Sequence, residues 1–82
     1  MKKEFIGYAA FDKESGKGLN VMFGFETRTS LTDDPDKVRI DESAKQVEMY
    51  AGWYNRTHKT PREFEVKKVV KVIEVKEVQD GE

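Results

Sequence analysis

A chain of 82 residues has room for one small domain, which buries roughly 60 % of the surface its unfolded form exposes and is only marginally stable. It has no cysteine, one histidine and a formal net charge of −1, which excludes disulfide staples, thiolate metal sites and a global field toward nucleic acid or an anionic membrane. Charged residues make up 38 % and hydrophobic residues 37 %, so the 11 % aromatic share must nucleate the core.

The run Phe5 to Phe11, interrupted by Gly7 and ended by Asp12, is too short for a membrane span or a signal peptide. With the missing cysteines, this makes a cytoplasmic, reducing location the expectation. Residues 5–11 alternate with aromatic content and read as a first strand. Residues 12–18 carry Gly16 and Gly18, which supply the positive φ angles of a hairpin connection. Residues 19–27 read as the returning strand, with Val21, Phe23 and Phe25 on one face and Met22, Gly24 and Glu26 on the other. Residues 30–36 are expected to be loop, because Thr32, Asp33 and Asp34 bond nearby backbone and Pro35 disfavours a helical Asp34. Lys37 to Ile40 forms a short alternating strand. Asp41 or Ser43 then caps a helix over 43–54; Ser43 with Gln46 fits a capping box, and Ala44, Val47, Tyr50, Ala51 and Tyr54 share one stripe.

After a polar connection at 55–61, the valine-rich run 64–78 is read as a long strand rather than a helix, since valine is stiff at χ1 and suits a pleated surface. Its inward phase changes between Val72 and Ile73, where a bulge is expected. Residues 79–82 are expected to be a disordered acidic tail after a single domain over 1–78. The order β-β-β-α-β gives an α+β fold, a small antiparallel sheet with one helix packed on a face.

The hairpin Gly7-Tyr8-Ala9-Ala10-Phe11-Asp12-Lys13-x-x-Gly16-Lys17, the central Thr32-Asp33-Asp34-Pro35-Asp36-Lys37-Val38-Arg39-Ile40, and the helix around Ala44 and Tyr50 leading to a valine-rich end resemble small uncharacterised open reading frames of bacteriophages of low-GC Gram-positive bacteria. The resemblance covers most of the chain. It implies an accessory protein made in an infected bacterium and acting on a host protein, and it brings no catalytic residue.

The residues themselves point away from catalysis. A nucleophilic enzyme needs a nucleophile, a base and an orienting group, yet the only imidazole, His58, lies in a polar loop beside Lys59 and is expected to be flexible and solvated. One histidine without cysteine makes a poor zinc set. Asp33, Asp34 and Asp36 lack the turn glycine and twelfth-position glutamate of a calcium loop, so they are expected to bond backbone amides. Gly16-Lys17-Gly18 lacks phosphate-loop spacing. No cofactor and no enzyme activity are expected.

Two features point to binding. Met49 and Trp53, one turn apart, fall about 120° or more from the buried stripe and carry the apolar area that anchors protein partners. The competing expectation is that Gly52 ends the helix early and lets Trp53 fold into the core. Arg56, His58, Lys59 and Arg62 follow at once, and with Met49 and Trp53 they make up the expected partner-binding set. The basic stretch 56–71, including Lys67, Lys68 and Lys71, beside Trp53 and Tyr54 is the alternative, a surface for single-stranded nucleic acid. A small homo-oligomer paired through the last strand is the third possibility.

Overall fold

The structure, a computed structural model, describes residues 2–73. The expected end of the last strand beyond residue 73 and the tail at 79–82 lie outside them. Strands β1 (Lys2–Asp12), β2 (Gly18–Met22) and β3 (Arg28–Thr32) precede a 3-10 turn (Pro35–Lys37), helix α1 (Ala44–Thr57) and β4 (Phe64–Ile73). The strands form one antiparallel sheet in the order β3-β2-β1-β4. The α+β class, the order β-β-β-α-β and the helix on one sheet face are as the sequence predicts.

The third strand lies elsewhere than expected. β2 stops at Met22, the chain turns through 23–27, and Arg28–Thr32 pairs back on β2 from Met22↔Arg28 to Gly18↔Thr32. The small and branched residues Thr29, Ser30 and Thr32 suit a pleated edge, and the loop chemistry begins only beyond them, where Thr32 Oγ1 accepts from the Asp34 amide at 3.1 Å. Lys37 to Ile40 is not a strand. Asp34 Oδ1 accepts from the Asp36 amide at 3.0 Å and Pro35 opens the 3-10 turn, which takes Lys37 out of any extended run. Of the three aspartates expected to bond backbone amides, Asp34 does so, and the Asp33 carboxylate instead faces Lys17 at 3.8 Å.

The segment that follows does run along the sheet. β1 and β2 pair only at Phe11↔Gly18, and residues 39–41 enter the gap beyond. The Arg39 amide donates to Leu19 O at 2.8 Å, and Tyr8 and Asp41 exchange backbone bonds of 2.7 and 2.9 Å. Gly7 makes this possible: its φ is +156°, and a Cβ there would lie 2.6 Å from Ile40 Cγ2 and 2.8 Å from Asp41 O. In the first hairpin only Gly16 adopts the expected positive φ, at 76°. Gly18 instead leaves room for Val38.

The expected bulge between Val72 and Ile73 is absent, since Val72↔Lys3 and Ile73↔Lys2 keep one register. The register shifts instead between Phe5 and Gly7, which makes Ile6 the extra residue. One consequence is that Phe5 and Tyr8 share a face, and their rings meet edge-on at 5.2 Å. The phase change in β4 carries no constraint because Val70 and Val72 are exposed.

Helix α1 starts as expected, with Ser43 Oγ accepting from the Gln46 amide at 3.3 Å. The reciprocal bond of a capping box is made by Asp41, whose Oδ1 accepts from the Ser43 amide at 3.1 Å. Ser43→Ala is expected to cost about 1 kcal/mol, measurable as a shift of the urea midpoint at constant slope. Gly52 does not end the helix, which continues to Thr57. Val47, Tyr50, Ala51 and Tyr54 are buried against Ala10, Leu19 and Val21, with Tyr8, Leu31, Trp53, Phe64 and Val66 closing the periphery.

Candidate functional site

Helix α1 meets the β2–β3 turn through Tyr50 of the buried stripe. Tyr50 is buried, and Trp53 packs on it with ring centroids 5.3 Å apart and a 59° tilt. Phe23 approaches the same tyrosine edge-on at 5.9 Å. The Arg39 guanidinium lies 5.0 Å from the Phe23 centroid and 6.0 Å from that of Tyr50, close enough for cation–π attraction. Trp53 is therefore neither fully outward nor a core plug. It is half-buried, with one face on Tyr50, while Met49 one turn earlier is exposed.

The sequence reading missed the turn itself. Of Val21, Phe23 and Phe25, read as one face of a strand over 19–27, only Val21 lies in a strand and is buried. Met22 and Phe23 are 58 % and 54 % exposed, and Phe25 is fully exposed. The physical reason is that Gly24 stands where the chain leaves the sheet, so side-chain alternation no longer maps onto two faces. The signal that could have found this was the Phe-Gly-Phe spacing, in which a glycine between aromatics marks a turn as readily as a strand. Met22, Phe23, Gly24, Phe25, Glu26 and Arg28 surround an open depression of about 470 Å³. A second depression, of about 330 Å³, lies between residues 26–29 and Thr57 and His58, so the turn borders the end of the helix.

The structure places the expected basic residues differently from one another. Arg56 and Lys59 are exposed. His58 is not flexible: its ring stacks on Tyr54 at 3.8 Å with an 11° tilt, and its Nδ1 lies 2.9 Å from Tyr54 O. Arg62 is turned inward and serves the fold. Its guanidinium reaches Asp12 Oδ2 at 3.0 Å and Glu14 at 3.7 Å, and its backbone is clamped by Asn55 through bonds of 2.8 and 2.9 Å. Lys67 and Lys68, adjacent on β4, point to opposite faces; Lys67 lies over the Phe11 ring and Lys68 stands opposite Tyr8. The basic stretch is divided between surfaces rather than gathered into one.

Asp12 is the one buried carboxylate among the described residues, 1 % exposed. The Ser15 hydroxyl donates to it at 2.6 Å and the Ser15 amide at 3.1 Å. The Ser15 hydroxyl first, then the Ser15 and Glu14 amides and the Arg62 charge, hold its carboxyl below the ordinary aspartate value, while desolvation pulls the other way. A carboxyl whose pKa is lowered on folding stabilises the fold above its unfolded value, and that contribution is lost as pH falls through the folded value. The melting temperature of the wild type is therefore expected to fall more steeply in acid than that of Asp12→Asn, which starts lower at neutral pH. Parallel melting curves would contradict this.

No cluster of three or more histidine, aspartate or glutamate side chains suited to a metal occurs among the described residues, and no described helix is long and apolar enough to cross a membrane. Comparison with protein-family models, curated proteins and solved structures finds no match.

Proposed function

We propose that the chain is a protein-binding module that acts by contact rather than by catalysis. Its docking surface joins Met22 at the end of β2 and Phe23 and Phe25 of the β2–β3 turn to Met49 and Trp53 of α1. The observation that carries this reading is Phe25, a phenylalanine fully exposed at a turn beside two further exposed apolar side chains. Leaving such area in water is unfavourable in a free domain and favourable once a partner covers it. The anchor types also fit: rigid aromatics and an adaptable methionine at the centre, with Arg56, His58 and Lys59 toward the rim at the helix end. On the resemblance to phage reading frames, the partner is a protein of the host bacterium and the outcome of binding is its inhibition.

Affinity capture from bacterial lysate with wild type, Phe25→Ser and Met49→Ser is the test. Both substituted residues are exposed, so folding should be unaffected. A partner retained by wild type is expected to be lost about tenfold or more with Phe25→Ser, the scale of a central anchor. Equal retention by all three proteins would reject the surface. A parallel titration with single-stranded oligonucleotide tests the alternative; tight binding that falls steeply with added salt would favour nucleic acid instead.

A further inference from the structure

From the free edge of β4 we infer a second interaction surface, for a second copy of this chain, paired strand to strand about a two-fold axis with Glu65 of each copy opposite Lys71 of the other. β4 stands at the end of the sheet order, so among the described residues its outer edge has no strand partner. Such an edge is a template for another strand. Its residues also divide cleanly between the two faces. Phe64, Val66, Lys68, Val70 and Val72 share the helix side, while Glu65, Lys67, Val69 and Lys71 share the other.

Charge and length of overlap together select the register. An axis at Val66 sets Glu65 opposite a lysine, Lys67, twice, but it pairs only residues 64–68 of β4, whereas an axis at Lys68 pairs residues 64–72. A two-fold axis at Lys68 sets Glu65 opposite Lys71 twice, Val66 opposite Val70 twice and Phe64 opposite Val72 twice. Moving the axis to Lys67 sets Glu65 opposite Val69 and leaves Lys71 facing Glu63, which lies outside the strand, and moving it to Val69 sets Lys67 against Lys71 twice. Opposite charges directly across a strand pair stabilise it and like charges oppose it. The favoured register also continues rows already present. Lys71 stands opposite Glu4 of β1, so the second copy's Glu65 extends a row of alternating charge. Val70 stands opposite Phe5, so the second copy's Val66 extends an apolar row.

The surface beside this edge has the shape to receive it. An open groove of about 480 Å³ lies between α1 and β4, lined by Glu48, Ala51, Gly52, Asn55, Phe64 and Val66. A side chain at Gly52 would meet nothing within 4 Å, so the helix leaves room there. Val70 and Val72, 46 % and 51 % exposed in one chain, fall opposite the Val66 and Phe64 of the other copy's groove. Each copy's Val70 and Val72 thus extend the apolar rim that Val66 and Phe64 give the other's groove. Because the axis closes on itself, the product is a dimer rather than a fibre. Lys68 faces its own copy at the axis, which weakens the dimer and makes it reversible.

Sedimentation equilibrium of the full chain over a wide concentration range is the test. Wild type is expected to reach twice the 9.5 kDa chain mass. Lys71→Glu and Glu65→Lys, each alone, place like charges opposite and are expected to weaken the dimer about tenfold or more. Mixed together they restore both ion pairs and should form a heterodimer, while Lys68→Ser should tighten the wild-type dimer. Circular dichroism confirms that each variant is folded. A wild type that stays at the chain mass, a dimer indifferent to both charge reversals, or a mixture no tighter than its components would overturn the inference. None of these substitutions touches Phe25, Met49 or Trp53, so the outcome is independent of the docking surface proposed above.

Discussion

Leu19→Ala is expected to lower the unfolding free energy by about 3 kcal/mol, within the range of buried leucine truncations that leave a cavity. Leu19 is 1 % exposed and sits in the cluster with Ala10, Val47, Tyr50 and Tyr54. Two features make relaxation into the space difficult. On the strand side its carbonyl is tied to the Arg39 amide at 2.8 Å, and it is paired across to Leu31, so the backbone is held from two directions. A chain this short has a total stability of roughly 4–12 kcal/mol by its length, so the loss is a large fraction of the whole. Urea unfolding followed by tryptophan fluorescence reads it directly, because Trp53 packs at the edge of the same cluster. A loss below about 1 kcal/mol would mean that Leu19 is not at the centre of the core.

Gly7→Val is expected to be at least as damaging, and for a different reason. No cavity is made. The new side chain would have to occupy the position where Ile40 Cγ2 and the Asp41 carbonyl lie within 3 Å of a Cβ, and one of those neighbours is backbone that cannot rotate away. A branched residue is also strained at a φ of +156°. Overpacking with backbone strain costs about 2–4 kcal/mol. The damage should be local in character: the exchange of bonds between Tyr8 and Asp41 opens first, and with it the cap that Asp41 gives to Ser43. Hydrogen exchange should show the amides of Tyr8, Asp41 and Ser43 losing protection more than those of Val66 to Val69. Uniform loss across the sheet would contradict a local cause.

The parts of the fold that could be read in the sequence are those whose physics is local. Ser43 and Gln46 announce a helix start because the bond between them spans three residues. The stripe Val47, Tyr50, Ala51 and Tyr54 gives the buried face because helical period and apolar spacing coincide. The valines of β4 select strand over helix by their own stiffness. What could not be read depends on partners far along the chain. Arg62 looks like a free surface cation in sequence, and only the folded sheet brings it to Asp12, fifty residues away. Residues 37–40 alternate as a strand does, but the chain enters the sheet only at residues 39–41, in a gap that exists because β1 and β2 separate after one pair.

The candidate surface was half legible for the same reason. Helical spacing puts Met49 and Trp53 outside the buried stripe; in the structure Met49 is exposed and Trp53 keeps one face on Tyr50. Phe23 and Phe25 read in sequence as one face of a continuing strand with Val21, because apolar alternation does not reveal where a strand turns back. The turn at Gly24 moves both from interior to surface, so the exposed patch gains its most solvent-exposed residue from a position that pattern alone would bury.

The docking surface is tested most directly by placing a photo-crosslinking phenylalanine analogue at position 25, with Lys17 on the other hairpin as the control position, and irradiating in bacterial lysate. A single protein-sized adduct formed at position 25, absent at position 17 and competed away by unlabelled wild type is the expected result. Equal labelling at the two positions, or an adduct at position 25 that excess wild type does not suppress, would contradict a specific partner at this surface.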